Sequence, residues 1–179
     1  MKRPAWVVLA LLGSLAGAHP VDEVVQGAYL TLTPGKVLLE LDLTPGSQVA
    51  GTLLGALDAN GDGKASDAEG RAYAAKVLAR STLTVGGAAV PWTLDTVTVP
   101  PLNILRIGGD TLKIYASAKR PDAVGAQTLS YHNRYQPARS QWIANVFLQP
   151  AGGWQYAVTG QQHSADGQQL TVKYTVSRP

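Results

Sequence analysis

The sequence predicts an α+β fold that is mainly β: an antiparallel, Ig-like β-sandwich with a helix-loop-helix EF-hand inserted after its second strand. Three observations predict it. The stretch Asp58 to Glu69 reads D-A-N-G-D-G-K-A-S-D-A-E, which places oxygen-bearing residues at loop positions 1, 3, 5, 7, 9 and 12 and glycine at 6. Two β-rich runs come before this loop. After Ser81 the helical period disappears, and short apolar runs recur between turn residues.

In chain order, Lys2 and Arg3 are followed by the apolar run Ala5 to Leu12 and the small residues Ala16-Gly17-Ala18. That order is a secretory leader, too short to cross a bilayer that needs about 20 apolar residues. Residues 1–18 are therefore expected to be a signal peptide, and 19–179 a single exported domain, whether periplasmic, surface-held or secreted. Val24 to Leu32 and Lys36 to Leu43 then read as strands joined by Thr33-Pro34-Gly35. In the second, Val37, Leu39, Leu41 and Leu43 alternate with Leu38, Glu40 and Asp42, so one face is buried.

The helical unit is expected from about Pro45 to Arg80, with Thr44 as N-cap and Pro45 at the first helical position. Val49, Leu53, Leu54 and Leu57 mark one apolar face, and Tyr73, Ala74, Val77 and Leu78 the other. Gly46, Gly51, Gly55 and Gly70 each cost up to about 1 kcal/mol against alanine, so these helices need packing on a sheet. Strands are then expected within Leu83 to Val85, Val90 to Val99, Leu102 to Ile107, Leu112 to Ala116, Leu129 to Tyr131, Trp142 to Leu148, Trp154 to Val158 and Leu170 to Val176. Gly86-Gly87, Pro100-Pro101, Gly108-Gly109-Asp110, Pro121-Asp122, Gly152-Gly153 and Asp166-Gly167 divide them.

The chemistry concentrates in the loop. Asp58, Asn60, Asp62, the carbonyl of Lys64, Ser66 and Glu69 are the ligand set for a Ca²⁺ ion, because a hard cation takes oxygen donors and Glu69 is long enough to close the site with both oxygens. The competing reading is a plain turn before a helix, with Ser66 and Glu69 forming a capping box. Three carboxylates, a neutral Asn60 and no second hand place the affinity at the weak end, on the order of 10⁻⁴ to 10⁻³ M.

A second metal site is conceivable at His19, the first residue after cleavage: its amine and ring could hold copper or nickel with His132 or His163. Tyr131, Asn133, Arg134, Tyr135, Arg139 and Trp142 form a polar and aromatic cluster, read first as a loop tied down by its own hydrogen bonds and second as a docking surface for a membrane protein.

Composition excludes other classes. Without cysteine there are no disulfides, thiolate metal sites or cysteine nucleophiles. Of the 15 Lys and Arg, two leave with the leader, so 13 face 12 Asp and Glu, and no basic cluster suggests nucleic acid. There is no G-x-S-x-G elbow, H-E-x-x-H helix or phosphate loop, and Asp22 and Glu23 point to opposite faces of an extended strand; a non-catalytic protein is expected.

His19-Pro20, the loop Asp58 to Glu69, and Tyr131, Asn133, Tyr135 and Trp142 together resemble the extracytoplasmic N-terminal domain of bacterial nickel/cobalt transporter-type membrane proteins. The resemblance spans most of the chain after the leader. It implies that domain type and its calcium loop. Ending at Pro179 without membrane helices, the chain is expected to be a stand-alone relative or an ectodomain.

Overall fold

The computed structural model describes residues 21–178, so the expected leader, His19 and Pro20 lie outside the described residues. Strands β1 (Val24–Thr33) and β2 (Lys36–Pro45) pair antiparallel in unbroken register from Val24↔Pro45 to Thr33↔Lys36. Pro34 presets the first turn dihedral, and Gly35 takes a φ of 77°, which a β-carbon would resist. Val24, Ala28, Leu30 and Leu32 of β1 and Val37, Leu39, Leu41 and Leu43 of β2 are buried, as period-two alternation requires.

The helix expected to start at Pro45 starts later. Pro45 ends β2, and the chain continues the ladder when the Gly46 N–H donates to the Glu23 carbonyl at 2.7 Å. Thr44 is therefore no cap; its hydroxyl meets that of Thr111 at 2.7 Å. Helix α1 (Ala50–Leu57) follows, without a side-chain cap, and buries Ala50, Leu53, Leu54 and Leu57. Helix α2 (Asp67–Leu78) buries Gly70, Tyr73, Ala74, Val77 and Leu78. Gly70 faces Val97 and Val99 at close range: a β-carbon there would lie 3.0 Å from Val99 Cγ2 and 3.5 Å from Val97 Cγ1. Gly51 and Gly55 face open space.

The remaining elements are β3 (Ser81–Val85), β4 (Ala88–Ala89), β5 (Thr93–Thr98), α3 (Leu102–Arg106), β6 (Leu112–Lys119), β7 (Gly125–Asn133), β8 (Ser140–Leu148), β9 (Gln155–His163) and β10 (Gln169–Ser177). Two expectations are corrected. The run Val90 to Val99 holds one strand, but a shorter one: β5 spans only Thr93–Thr98, because Val90-Pro91-Trp92 is irregular. Leu102 to Ile107 is helical: Pro101 precedes the first turn, and Leu102 and Leu105, three apart, are the buried pair.

Two five-stranded sheets result, ordered β5-β6-β2-β1-β8 and β4-β3-β7-β10-β9. Their buried faces share one apolar core, to which Leu30 and Leu41 come from the first sheet and Leu129, Val172 and Tyr174 from the second. The expected all-antiparallel pairing fails at one place, because β8 lies parallel to β1 from Val24↔Ser140 to Leu32↔Leu148. The chain leaves the second sheet at the end of β7, crosses through residues 134–139, and enters the first sheet running the same way as β1. Helix α2 contacts β5 and β3, and α1 contacts α3, so the helical unit is docked on the sheets.

Candidate metal centre

Residues 58–66 form the loop between α1 and α2, and its turns are built by its own acidic side chains. Asp58 Oδ1 accepts the N–H groups of Gly61 and Asp62 at 2.9 and 3.1 Å, and Oδ2 accepts that of Gly63 at 3.0 Å. Asn60 Oδ1 accepts from Asp62 N at 2.9 Å, and Asp62 Oδ1 from Lys64 N at 2.9 Å. Short Asp and Asn side chains make such turns because they reach backbone amides two residues on. Gly61 and Gly63 take φ of 74° and 81°; the second is the sharp-turn glycine that the spacing requires.

Glu69 fastens both ends of the loop. Its Oε1 accepts the Ala59 and Asn60 amides at 2.9 and 3.2 Å, and its Oε2 accepts the Ser66 N–H and hydroxyl at 2.9 and 2.7 Å. Ser66 Oγ accepts in turn from Glu69 N, which completes a capping box on α2. These bonds hold the Glu69 carboxyl below its ordinary range, the Ser66 hydroxyl contributing most. Cap and chelator were alternatives in the sequence; here the same side chain forms the cap.

The donors that surround this loop suit a hard cation in kind: three carboxylates, an amide, a hydroxyl and a backbone carbonyl. They do not converge as a ready-made cluster, since no three His, Asp or Glu side chains are grouped to hold a metal among the described residues. A carboxylate offers about four lone-pair positions. Asp58 has three filled and Glu69 four, so Glu69 must exchange N–H and O–H donors for any ion it grips with both oxygens.

The Tyr131 to Trp142 cluster is a tied loop. Asn133, 2% exposed, donates to Gln26 Oε1 at 2.9 Å and accepts the Tyr135 N–H at 3.0 Å. Gln26 Nε2 and Trp142 Nε1 both donate to the Tyr135 carbonyl, at 2.9 and 3.3 Å. Tyr135 OH meets Tyr73 OH at 2.6 Å, with the rings edge to face at 6.1 Å. Burial raises the affinity of both hydroxyls for their protons, and for Tyr73 the proximity of Tyr135 adds to it. Through Tyr73 the knot reaches the helix that leaves the acidic loop. Arg134 is exposed, and Arg139 pairs with Asp22 and Glu23 at 3.1 and 2.7 Å; the two carboxylates, expected on opposite faces of a strand, instead precede β1 in a turn and meet one guanidinium.

His132 and His163 cannot share an ion. His132 is paired with Gln169, and His163 with Leu170, so the two imidazoles lie on opposite faces of the second sheet and two strands apart. His163 Nε2 lies 2.8 Å from the Ala144 carbonyl, and His132 lies between Gln168 and Gln169. His19 is outside the described residues. Sequence reasoning missed Gln26, whose place on the buried face of β1 could have been read from strand parity, and the buried pair Arg120 and Asp122, 2.8 Å apart, which no local pattern announces.

Compared with known proteins, the chain matches no family model. No curated protein matches it either. No helix among the described residues is long and apolar enough to cross a membrane.

Proposed function

We propose that this chain is an exported calcium-binding protein: an Ig-like sandwich carrying one EF-hand, whose ion stabilises the inserted helical unit and takes no part in catalysis. Asp58, Asn60, Asp62, Ser66, Glu69 and the Lys64 carbonyl would hold the ion. The observation that carries this reading is the coincidence of all six oxygen positions with glycine at the sixth, on a loop whose Gly63 has the required positive φ. Support also comes from the resemblance to the extracytoplasmic domain of nickel/cobalt transporter-type proteins, and from the leader-like first 18 residues.

Weak affinity follows from the competition at Glu69. An ion there replaces existing hydrogen bonds instead of filling free positions, so part of its binding energy is spent in releasing the cap. At about ten times the dissociation constant the ion adds about 1.4 kcal/mol, or a rise of about 3–6 °C in Tm. A thermal melt with millimolar calcium against chelator tests it. Glu69→Gln removes the charge and turns one of the two accepting oxygens into an N–H donor, so the chelated melt should fall by a few degrees with the loss of one pair of these hydrogen bonds, and the calcium-dependent rise should vanish. A rise that survives Glu69→Gln, or no rise in the parent chain, refutes the site. Magnesium, which demands tight octahedral geometry, should give a smaller rise.

A further inference from the structure

The two sheets have four edge strands, and three of them carry a device against further pairing. β4 is two residues long, β5 skips a register position at Asp95, and β9 skips one at Thr159. β8 has no such device. It pairs with β1 without a break from Val24↔Ser140 to Leu32↔Leu148, and Ser140–Leu148 contains no proline, glycine or charged side chain. The Arg139 carbonyl and the Gln149 N–H bond to β1, so by the alternation of a strand the backbone groups of the even-numbered residues between them point away from the sheet. The β9–β10 turn covers the first half of that row: His163 Nε2 lies 2.8 Å from the Ala144 carbonyl, and Gly167 lies against the carbonyl of Trp142. Val146 and Leu148 have no backbone partner on that side among the described residues.

The outer face of this strand is apolar as well. Phe147 is 53% exposed and Ile143 44% exposed, and Tyr29 of β1 stands beside Phe147 with 6.4 Å between ring centroids. A regular, uncharged edge with exposed apolar side chains invites a further strand. We propose that the open half of β8 is a self-association surface, and that its occupant is β8 of a second copy, laid antiparallel about a two-fold axis at Phe147. In that register Val146 of each copy faces Leu148 of the other, and each pair exchanges both backbone bonds, about four in all, while the two Phe147 rings meet on the outer face. A second copy fits because the free groups at Val146 and Leu148 lie two residues apart, so inversion about Phe147 sets one pair on the other. No charged side chain on the strand opposes its own image, and the chain after its leader is nearly balanced in charge. Pairing stops before the covered stretch, because Ala144 falls opposite Pro150, which lies past the end of the other strand and has no N–H. The surface shares no residue with the acidic loop, and the association does not depend on calcium.

Sedimentation of the processed chain from micromolar to millimolar concentration should show a reversible step from monomer to dimer and nothing larger, because a two-fold edge pair is closed. Amide exchange at Val146 and Leu148 should slow as the dimer forms. Phe147→Lys and Phe147→Glu each set like charges face to face at the axis, so either variant alone should weaken the dimer about tenfold or more, and an equal mixture of the two should restore it. Phe147 is exposed, so both variants should melt with the parent at low concentration. A chain that stays monomeric at millimolar concentration overturns the proposal and leaves the edge to a strand of a different protein. So do assembly beyond the dimer, a dimer that either variant leaves intact, a mixture of folded variants that fails to recover, and unchanged exchange at Val146 and Leu148.

Discussion

Asn133→Ala tests whether the buried polar knot holds the fold together. The substitution removes an amide that is 2% exposed and strands two groups: the Gln26 Oε1 atom, in a residue 1% exposed, and the Tyr135 N–H. A stranded buried group costs about 1–3 kcal/mol, so the variant should lose about 2–5 kcal/mol of stability. For a domain of this size that is a fall of about 10 °C in Tm. Urea denaturation with thermal melts measures it, and amide exchange locates it. Because Tyr135 also carries the bond to Tyr73, protection in α2 should fall along with that in β7 and β8. A loss below about 1 kcal/mol, or unaltered exchange in α2, would mean that water or a neighbour replaces the amide and that the knot does not transmit. Gln26→Leu combined with Asn133→Leu removes both partners, so its cost should be less than the sum of the single changes.

Three further outcomes are expected. Burial, partly offset by Lys113, holds the Asp42 carboxyl above its ordinary range, and Asp42 Oδ1 is buried without a hydrogen-bond partner among the described residues. A carboxyl raised in the fold binds its proton better folded than unfolded, so its contribution is full in acid and lost as pH rises through the folded value. Asp42→Asn should therefore be more stable than the parent near neutrality, with the difference closing in acid, as urea midpoints across pH would record. Gly167→Ala sets a β-carbon against the Trp142 carbonyl at a φ of 77°, a clash that must force the β9–β10 turn to move. It should cost about 3 kcal/mol or more, whereas Gly35→Ala, with the same φ of 77° and open space, should cost only about 1–2 kcal/mol of backbone strain. Tyr73→Phe removes the 2.6 Å bond to a half-buried Tyr135 and should cost about 1 kcal/mol in a melt.

The cap and the candidate chelator being the same residue shapes how α2 would respond to an ion. Glu69 closes the helix N-terminus through Ser66 and reaches back to Ala59 and Asn60, so the loop is already ordered by hydrogen bonds. Any ion binding there is an exchange of donors on a formed loop, and the stabilisation it adds is correspondingly small. The helix is anchored at a second place by Tyr73, one turn further along, and Gly70 lets it lie close against Val99.

What the sequence determined by itself was local. The alternation of β2 and β10, the turns at Gly35 and Asp166-Gly167, the two helix faces and the acidic loop were legible because each depends on residues a few positions apart, where backbone geometry converts spacing into direction. The same locality misled at Leu102 to Ile107, where a short apolar run carries no period long enough to separate strand from helix. Tertiary structure alone decided the rest. The parallel β1–β8 pair, the bond between Gln26 and Asn133 across 107 positions, the separation of His132 from His163, and the bonds that bring Gly35 and Tyr156 to Asp122 all depend on segments that nothing in their own composition connects. They follow from the order in which the strands are laid side by side, which the burial of one shared core selects and no single stretch encodes.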